Sequence, residues 1–248
     1  MKRYFLLAFC LFVSNLNSAT WNLDANGSWN VNGNWAVPPL FPNGTDAIAD
    51  FGTIITNNRT ITLGQNLTVG TVTFNDNNNY LVTGANTLTF DVSAGNSILT
   101  INNGGGNGAH TISCPILLND SLTIAQNSTN AAGFTLSGAI SGSGSIIYNG
   151  SQRINFSTSN SYVGSTSLNN GSIFYNSSGA FPGGSTVNIG DGTGAANTTQ
   201  LNINAGVATP AAFLANVNSD GRLIQGNNRI VRISGLQGSG QVQLNTPV

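Results

Sequence analysis

The stretch Ile112-Ser-Cys-Pro-Ile-Leu-Leu-Asn-Asp-Ser-Leu-Thr-Ile124 places an apolar side chain at every second position of two short runs, which Asn-Asp-Ser separates. Alternation with a period of two predicts β-strands that bury one face and leave the other in water. Runs of this kind recur at intervals of roughly 8 to 14 residues. No segment between Trp21 and Val248 has a convincing helical period. The sequence therefore predicts an all-β protein. The other runs are Leu67/Val69, Val72/Phe74, Leu88/Phe90/Val92, Ile154/Phe156, Val187/Ile189 and Leu201/Ile203, with a slip at Gly70 that is typical of a bulge or a corner.

Runs at this spacing fit a β-sandwich, a barrel or a solenoid, and three features favour the solenoid. The composition does not change along the chain, and the turns are rich in Asn and Gly, which suit the corners of stacked coils. In addition, Leu136-Ser-Gly-Ala-Ile-Ser-Gly-Ser-Gly144 is nearly repeated as Ile233-Ser-Gly-Leu-Gln-Gly-Ser-Gly240. We therefore predict a single elongated domain of parallel coils, about ten in number at roughly 20–25 residues each.

Charged side chains are scarce in this sequence. They make up 6% of the 248 residues, glutamate is absent, and hydrophobic residues make up 40%. Stacked coils explain the scarcity, because like residues lie above one another and stacked charges repel, whereas stacked Asn, Ser and Thr form hydrogen bonds. The composition excludes a basic nucleic-acid surface and disfavours a helical bundle or plain disorder, so no nucleic-acid partner is expected.

Residues 1–19 have the layout of a secretory signal. Met1-Lys2-Arg3 is followed by the apolar run Tyr4–Val13 and by a polar stretch, which together predict cleavage after Ala19. The apolar run is too short to span a bilayer as a helix, and no transmembrane helix is expected elsewhere. Cleavage leaves Cys114 as the single cysteine, so no intramolecular disulfide is expected.

Two adjoining segments resemble the autotransporter-associated β-strand repeat. They are Ile140-Ser-Gly-Ser-Gly-Ser-Ile-Ile-Tyr-Asn-Gly-Ser-Gln-Arg-Ile-Asn-Phe-Ser157 and Asn160-Ser-Tyr-Val-Gly-Ser-Thr-Ser-Leu-Asn-Asn-Gly-Ser-Ile173. The Trp-rich opening (Trp21, Trp29, Trp35) is similar to that of the same class. The resemblance implies a right-handed parallel β-helix passenger on or outside a Gram-negative-type cell, with no catalytic residues. The translocator barrel that full autotransporters carry at the carboxy terminus is not expected here, so the chain is either a fragment of a longer surface protein or is held or released by another route.

These patterns divide the chain into three predicted parts. They are a signal peptide at residues 1–19, a Trp-rich N-terminal cap at residues 20–50, and β-helix repeats at residues 51–248. The last coil is expected to be uncapped, and truncation of the chain there is one of the two alternatives just given. Its Val242 and Leu244 predict a strand edge that could pair edge to edge with another chain.

The aspartates are scattered, whereas glycoside hydrolysis needs two carboxyl groups roughly 5–10 Å apart. Asp46 and Asp50 are the closest pair in sequence, and Asp220 with Arg222 could form a same-face pair. Turn capping and surface charge are the expected roles of all of these residues. Convergence of Asp76, Asp91 and Asp120 with an arginine in one lateral groove would instead favour an enzyme.

The remaining candidate groups have structural explanations. His110 and Cys114 are too far apart on one strand for a nucleophile pair, and Cys114 fits an inert buried thiol. Residues 105–110 come close to a calcium-binding nonapeptide, although His110 replaces the aspartate, and a flexible glycine corner explains them. A solvated basic face explains the arginine cluster, which contains Arg222, Arg229 and Arg232. No catalytic, metal-binding or cofactor-binding residue is predicted.

The tryptophans leave two alternatives open. They either cover the exposed end coil of a solenoid or form a sugar-stacking platform, in which case Trp29 and Trp35 would contact carbohydrate. The sequence predicts a non-enzymatic structural or adhesion protein, secreted or on the outer surface of a Gram-negative-type cell. Its expected partners are surface glycans or proteins of a host or neighbouring cell. The rivals are a β-helix polysaccharide lyase or hydrolase and a carbohydrate-binding module.

Overall fold

The computed structural model describes residues 17–36, 40–102, 109–129, 131, 133–177, 182, 184–204, 212–226 and 231–244. In this part of the chain the regular structure consists of β-strands and one 3₁₀ turn at Asn32–Asn34. The strands are β1 (Ser18–Thr20), β2 (Gly27–Ser28), β3 (Ile48–Phe51), β4 (Arg59–Thr62), β5 (Leu67–Val69), β6 (Thr71–Phe74), β7 (Tyr80–Thr83), β8 (Leu88–Phe90), β9 (Ser97–Ile101), β10 (Thr111–Ile112), β11 (Ile116–Leu118), β12 (Leu122–Gln126), β13 (Phe134–Leu136), β14 (Ile140–Gly142), β15 (Ile146–Phe156), β16 (Thr166–Tyr175), β17 (Thr186–Ile189), β18 (Thr199–Ile203), β19 (Phe213–Val217), β20 (Gly221–Gln225), β21 (Ile233–Gly238) and β22 (Gln241–Leu244).

The strands stack in parallel on three faces of a β-solenoid. Face A runs β1-β3-β6-β9-β12-β15-β16-β17-β19-β21, and face B runs β2-β4-β7-β10-β13-β15-β16-β18-β20-β22. Face C is shorter and runs β5-β8-β11-β14. The long strands β15 and β16 pass from face A to face B through a register shift near Asn149. The predicted all-β parallel solenoid is confirmed.

The solenoid makes about eight turns, fewer than the ten that the sequence predicts. The coils differ in length, and this difference accounts for the discrepancy. Ile146 pairs with Thr166, only twenty positions further along the chain, whereas Val187 pairs with Ala215, twenty-eight positions further along. A uniform coil of 20–25 residues therefore underestimates the number of residues in some turns.

Apolar side chains form continuous columns inside the solenoid. The alternation that predicts strands also identifies the residues that the coils bury, and Gly70 lies at the corner between β5 and β6 as expected. Val92 is the exception among the predicted runs, because β8 ends at Phe90 and the chain turns there, which leaves Val92 half-buried. Because the strands are in register, each buried residue packs above its partner in the next coil. One such column on face A consists of Val72, Leu99, Ile124, Tyr148, Leu168, Ile189 and Val217, all of them buried.

Neutral side chains form hydrogen-bonded rows from coil to coil on the outside of the solenoid. The Asn216 Nδ2 atom donates to Asn188 Oδ1 at 3.3 Å, and Asn188 Nδ2 donates in turn to Ser167 Oγ at 3.2 Å. Asn169 donates in the same way to Asn149 at 2.8 Å. These contacts confirm the predicted rows of stacked amides and hydroxyls, and they are the physical reason for the low charge of the sequence.

Replacing neighbouring members of one row by carboxylates tests this explanation. We expect the double substitution Asn188→Asp with Asn216→Asp to destabilise the protein beyond the sum of the single substitutions by about 1 kcal/mol at neutral pH and low salt, because like charges would lie on adjacent strands. Urea unfolding of the four members of the double-mutant cycle measures the coupling. Asn188→Asp combined with Asn127→Asp, which lies in a different row, should be additive. Equal coupling in both pairs would contradict electrostatic repulsion along the row.

The two copies of the near-repeat, Leu136–Gly144 and Ile233–Gly240, form similar corners on two different faces of the solenoid. Gly142 ends β14 on face C, whereas Gly238 ends β21 on face A, and both have a positive φ (109° and 100°). A Cβ at Gly142 would collide with the carbonyl oxygen of Leu118, and one at Gly238 would collide with that of Val217. The Gly-Ser-Gly sequence therefore fits a tight corner under which the preceding coil passes closely.

The last coil continues the core columns, although its side chains are less covered. Leu236 pairs with buried Ala215, and Leu244 pairs with Gln225. Nevertheless Leu236 is 51% exposed and Leu244 is 68% exposed. Both positions would face the core of any further coil that stacked on them.

Candidate functional site

The three tryptophans lie inside the first coils. Trp21, Trp29 and Trp35 surround Phe51, with ring centroids 6.0, 5.2 and 5.4 Å from that of Phe51. Trp29 and Trp35 are 0% and 4% exposed. Their Nε1 atoms donate to the carbonyl oxygens of Pro42 (3.0 Å) and Trp29 (2.7 Å). Because both rings are buried, neither predicted carbohydrate-contact residue presents a ring face on which a sugar could stack. The assignment of residues 20–50 as an N-terminal cap stays a prediction.

An aromatic stack continues from this cap along the axis. Phe51 stacks on Phe74 at 5.1 Å, and Phe74 stacks on His110 at 4.9 Å. His110 is buried, and its Nδ1 accepts the backbone N–H of Tyr80 at 3.1 Å. Burial lowers the pKa of His110 to about 4, while a hydrogen bond with the Asp76 backbone acts in the opposite direction. The imidazole is therefore a neutral component of the core.

This burial predicts a loss of stability in mild acid. The pKa of His110 is lower in the folded protein than in the unfolded chain, so the unfolded chain binds more protons between pH 6.5 and pH 4. Stability should therefore fall as the pH falls through this interval, by about 3 kcal/mol from this group. The measurement is urea unfolding at several pH values, with His110→Gln as a control that cannot titrate. Parallel pH profiles for the two proteins would contradict a buried neutral imidazole.

Cys114 faces the core beside Ile112 and Ile116, as the alternation predicts. Burial raises the pKa of its thiol to about 12, which leaves the thiol protonated at neutral pH. The predicted burial of Cys114 is confirmed. Of the calcium-like segment, residues 105–108 lie outside the described residues, as does Arg229 of the arginine cluster.

The three aspartates whose convergence would favour an enzyme occupy two different corners. Asp91 and Asp120 follow β8 and β11 on face C, where they accept hydrogen bonds from Thr45 Oγ1 (2.6 Å) and the Val92 backbone N–H (2.9 Å). Asp76 follows β6 on face A, where its Oδ1 accepts the Asn78 backbone N–H at 2.7 Å. Their contacts bind turns together, as turn capping predicts.

In each of the two pairs named from the sequence, Asp46 with Asp50 and Asp220 with Arg222, the two residues contact different partners. Asp46 lies in a turn with a φ of 64°, where hydrogen bonds from the side chain and then the backbone of Ser93 lower its pKa. Asp50 on β3 instead accepts a hydrogen bond from Asn75 Nδ2 at 2.9 Å. Arg222 hydrogen-bonds with Gln243 on β22, and Asp220 turns towards a loop instead. Among the described residues the ion pair is Arg59 with Asp24, at 2.7 Å.

A pair that sequence analysis does not identify, Asp191 and Asp220, lines one cavity of about 160 Å³. Asp220 is buried, and its Oδ1 accepts the Gly192 backbone N–H at 2.8 Å while its Oδ2 lies 3.4 Å from Thr199 Oγ1. Hydrogen bonds from Thr193 lower the pKa of Asp191, which keeps it ionised. An ionised carboxylate can accept hydrogen bonds from hydroxyl groups. A general acid must be protonated near neutral pH, which requires a raised pKa, whereas the pKa of Asp191 is lowered.

A second groove adjoins this cavity at Thr198, which lines both. It has a volume of about 310 Å³ and crosses β15, β16 and β18 on face B. The Arg153 guanidinium lies over the Phe174 ring, 4.9 Å from its centroid. The other polar side chains that line this groove are Ser151, Gln152, Ser172, Thr198 and Gln200. We call it the Arg153 groove.

Register brings the residues of the Arg153 groove together from distant parts of the sequence. Arg153 pairs with Ser172, Ser172 with Gln200 and Gln200 with Arg222, so that these side chains form one outward column. From the sequence, the alternation of apolar and polar residues shows only that Arg153, Ser172 and Gln200 each face outward. The unequal coil lengths hide the column, because Ser172 follows Arg153 by nineteen positions and Gln200 follows Ser172 by twenty-eight.

The fold and the two cavities define the class of protein, which is a β-solenoid with polar grooves on its lateral surface. Within the described ranges no three His, Cys, Asp or Glu side chains lie close enough to hold a metal ion, and no helix is both long and apolar enough to cross a membrane. Comparisons with protein-family models, with curated proteins and with solved structures give no match. Membership of the autotransporter-associated repeat family therefore stays a prediction from the residues quoted above.

Proposed function

We propose that the chain is an exported, non-enzymatic β-solenoid that serves as a structural and adhesive element on the outside of a Gram-negative-type cell, in the manner of an autotransporter passenger. The observation that carries the proposal is the set of neutral rows that run along the outer faces, such as Asn216–Asn188–Ser167. These rows leave a long surface of amides and hydroxyls, which suits contact with hydrated glycans and proteins. The signal-like residues 1–19 support export.

Export and exposure are tested in a Gram-negative host that expresses the full chain. We expect a mature N terminus at Thr20, recovery outside the cytoplasm, and, in intact cells treated with protease, a cut near Thr246-Pro247 with the rest of the chain left whole. The strand β1 spans the predicted cleavage position, because Ser18 and Ala19 pair with Ile48 and Ala49. Mass spectrometry of the mature protein therefore also decides whether β1 remains whole. An uncleaved precursor in the cytoplasm would contradict the proposal.

Limited proteolysis of the purified protein tests the rod itself. Residues 50–235 should resist cleavage, because the described strands in this range are paired with neighbouring coils, most of them on both sides. The first nick is expected near Thr246-Pro247, outside the described residues. Rapid digestion through the middle of the chain would refute a continuous rod.

The second candidate function is hydrolysis or lysis of a polysaccharide, which the shared cavity of Asp191 and Asp220 favours. Incubation with acidic and neutral polysaccharides, followed by assays for new reducing ends and unsaturated products, separates the two functions. We expect no products. Activity that Asp191→Asn abolishes would replace the structural proposal by the enzymatic one.

A further inference from the structure

We propose that Asn170, in the long strand β16, is a modification site at which the folded protein promotes its own deamidation to aspartate and isoaspartate. The reaction needs only water as a co-reactant, and it is independent of the proposed adhesive function. The sequence contains seven Asn-Gly pairs, of which five lie in the described residues. All five asparagines are exposed, so exposure does not select among them. They are Asn26, Asn32, Asn43, Asn149 and Asn170.

The reaction is an intramolecular attack within an Asn-Gly pair. The backbone nitrogen of the glycine forms a bond to the side-chain Cγ of the asparagine, and the Cγ–Nδ2 bond breaks. The side-chain amide group leaves as ammonia with the proton that the backbone nitrogen gives up, and a five-membered succinimide ring remains. Water then opens the ring at one of its two carbonyl carbons, which gives aspartate or isoaspartate. No atom is oxidised or reduced.

The structure places the attacking nitrogen of Gly171 beside its target carbon. The Gly171 backbone N–H donates a hydrogen bond to Asn170 Oδ1 at 2.8 Å. A carbonyl bond is about 1.2 Å long, so this nitrogen lies at most about 4 Å from Asn170 Cγ. Reacting atoms in a near-attack conformer are about 3–3.5 Å apart. A small rotation of the Asn170 side chain therefore brings the two atoms into range.

A mismatch between β15 and β16 produces this contact. Asn149 of β15 pairs with Asn170 of β16. The next pair is Arg153 with Ser172, so three residues of β15 lie opposite Gly171 alone. Gly171 has a φ of 73°, and an added Cβ would collide with carbonyl oxygens of β15, so glycine is required there. The same irregularity thus supplies an attacking nitrogen without a neighbouring side chain and turns it towards Asn170.

The other described Asn-Gly pairs are held by distant parts of the chain. At Asn43 both reacting groups are fixed, because the Thr68 N–H donates to Asn43 Oδ1 at 2.9 Å and the Thr68 carbonyl accepts the Gly44 N–H at 2.8 Å. In the remaining three pairs the asparagine Oδ1 accepts a hydrogen bond from outside the pair. The donors are Thr60 N for Asn26 (2.8 Å), Phe41 N for Asn32 (3.2 Å) and Asn169 Nδ2 for Asn149 (2.8 Å).

Deamidation of Asn170 changes the chemistry of a lateral cavity. Asn170 lines the cavity of about 160 Å³ that Asp191 and Asp220 also line. The aspartate product brings a third carboxylate to this cavity, in a chain whose formal net charge is only −1. An amide both donates and accepts hydrogen bonds, whereas an ionised carboxylate only accepts them. The modified cavity is therefore more acidic and has one donor group fewer.

Peptide mapping by mass spectrometry tests the site. The purified full chain is incubated in mildly alkaline buffer at a temperature at which circular dichroism shows it to be folded. Replacement of an amide by a carboxyl changes the peptide mass, and fragmentation assigns the change to one asparagine. We expect Asn170 to react at least about tenfold faster than Asn43, because the distance between the reacting atoms governs an intramolecular rate.

The same chain unfolded in guanidinium chloride is the control for local sequence. Unfolding should slow the reaction of Asn170 and accelerate that of Asn43, so that the two rates agree within about threefold. Equal rates at these two residues in the folded chain would overturn the proposal. A rate at Asn170 that unfolding increases would overturn it as well, since the fold would then protect this residue.

Asn170→Gln is the matched variant, because glutamine keeps the amide but needs a less favourable six-membered ring. The mass change should disappear from the peptide that contains position 170, while the reaction at Asn43 continues unchanged. Persistence of the change would assign it to the neighbouring Asn169 and contradict the proposal. If circular dichroism shows that Asn170→Gln does not fold, the comparison of Asn170 with Asn43 in the folded and unfolded natural chain decides the question.

Discussion

Replacement of Gly142 by alanine is expected to destabilise the protein by about 4 kcal/mol or more, which for many small domains is a large part of the total stability. Two effects add at this corner. The φ of 109° is one that residues with a Cβ rarely adopt, and the added Cβ would collide with the carbonyl oxygen of Leu118 and lie 2.7 Å from its backbone nitrogen. Both of these atoms belong to the preceding coil, whose backbone cannot move without breaking the ladder. Urea unfolding followed by far-ultraviolet circular dichroism measures the loss.

Gly95→Ala is the matched control for this substitution. Gly95 also has a positive φ, 84°, but an added Cβ there would meet no atom within 4 Å. It therefore carries the conformational cost alone, about 1–2 kcal/mol. If Gly142→Ala and Gly95→Ala cost the same, the close approach of the coils at the Gly-Ser-Gly corner is not what selects glycine.

The fold could be predicted from the sequence because the interior of a solenoid repeats a local pattern. Leu122 and Ile124, or Val187 and Ile189, need only their own alternation to be assigned to the core, and the in-register stack buries each of them. The low charge was equally informative. It follows from the rows in which Asn188 lies between Ser167 and Asn216, a consequence of parallel stacking that needs no knowledge of coil length.

The candidate site could not be predicted in the same way, since it depends on which coils become neighbours. Arg153, Ser172 and Gln200 are brought together by coils of different lengths, and alternation contains no information on those lengths. The near-repeat shows the same limit, because Gly142 and Gly238 share a local corner although they lie on different faces.

Trp29→Ala is expected to destabilise the N-terminal end of the solenoid by about 3–5 kcal/mol, the range for deletion of a large buried aromatic side chain. Trp29 is fully buried, packs against Phe51 at 5.2 Å and donates its Nε1–H to the Pro42 carbonyl oxygen. The substitution thus leaves both a cavity and an unsatisfied carbonyl. Because each coil of a solenoid contacts only its neighbours, the loss should be local. Hydrogen exchange should show protection falling first in β3 and β4, while β18 and β20 remain protected.

Two variants separate packing from other effects at this end of the chain. Val31→Ala changes a residue that is 47% exposed two positions away and should alter stability by less than about 0.5 kcal/mol. Trp29→Phe keeps an aromatic ring against Phe51 and loses only the N–H donor and part of the volume, so its effect should lie between those of the other two variants. The same proteins distinguish the two explanations of the tryptophans. If Trp29→Ala retained full protection in β3 and β4 but lost affinity for glycans, the indole would be a binding residue and the end-cap assignment would be wrong.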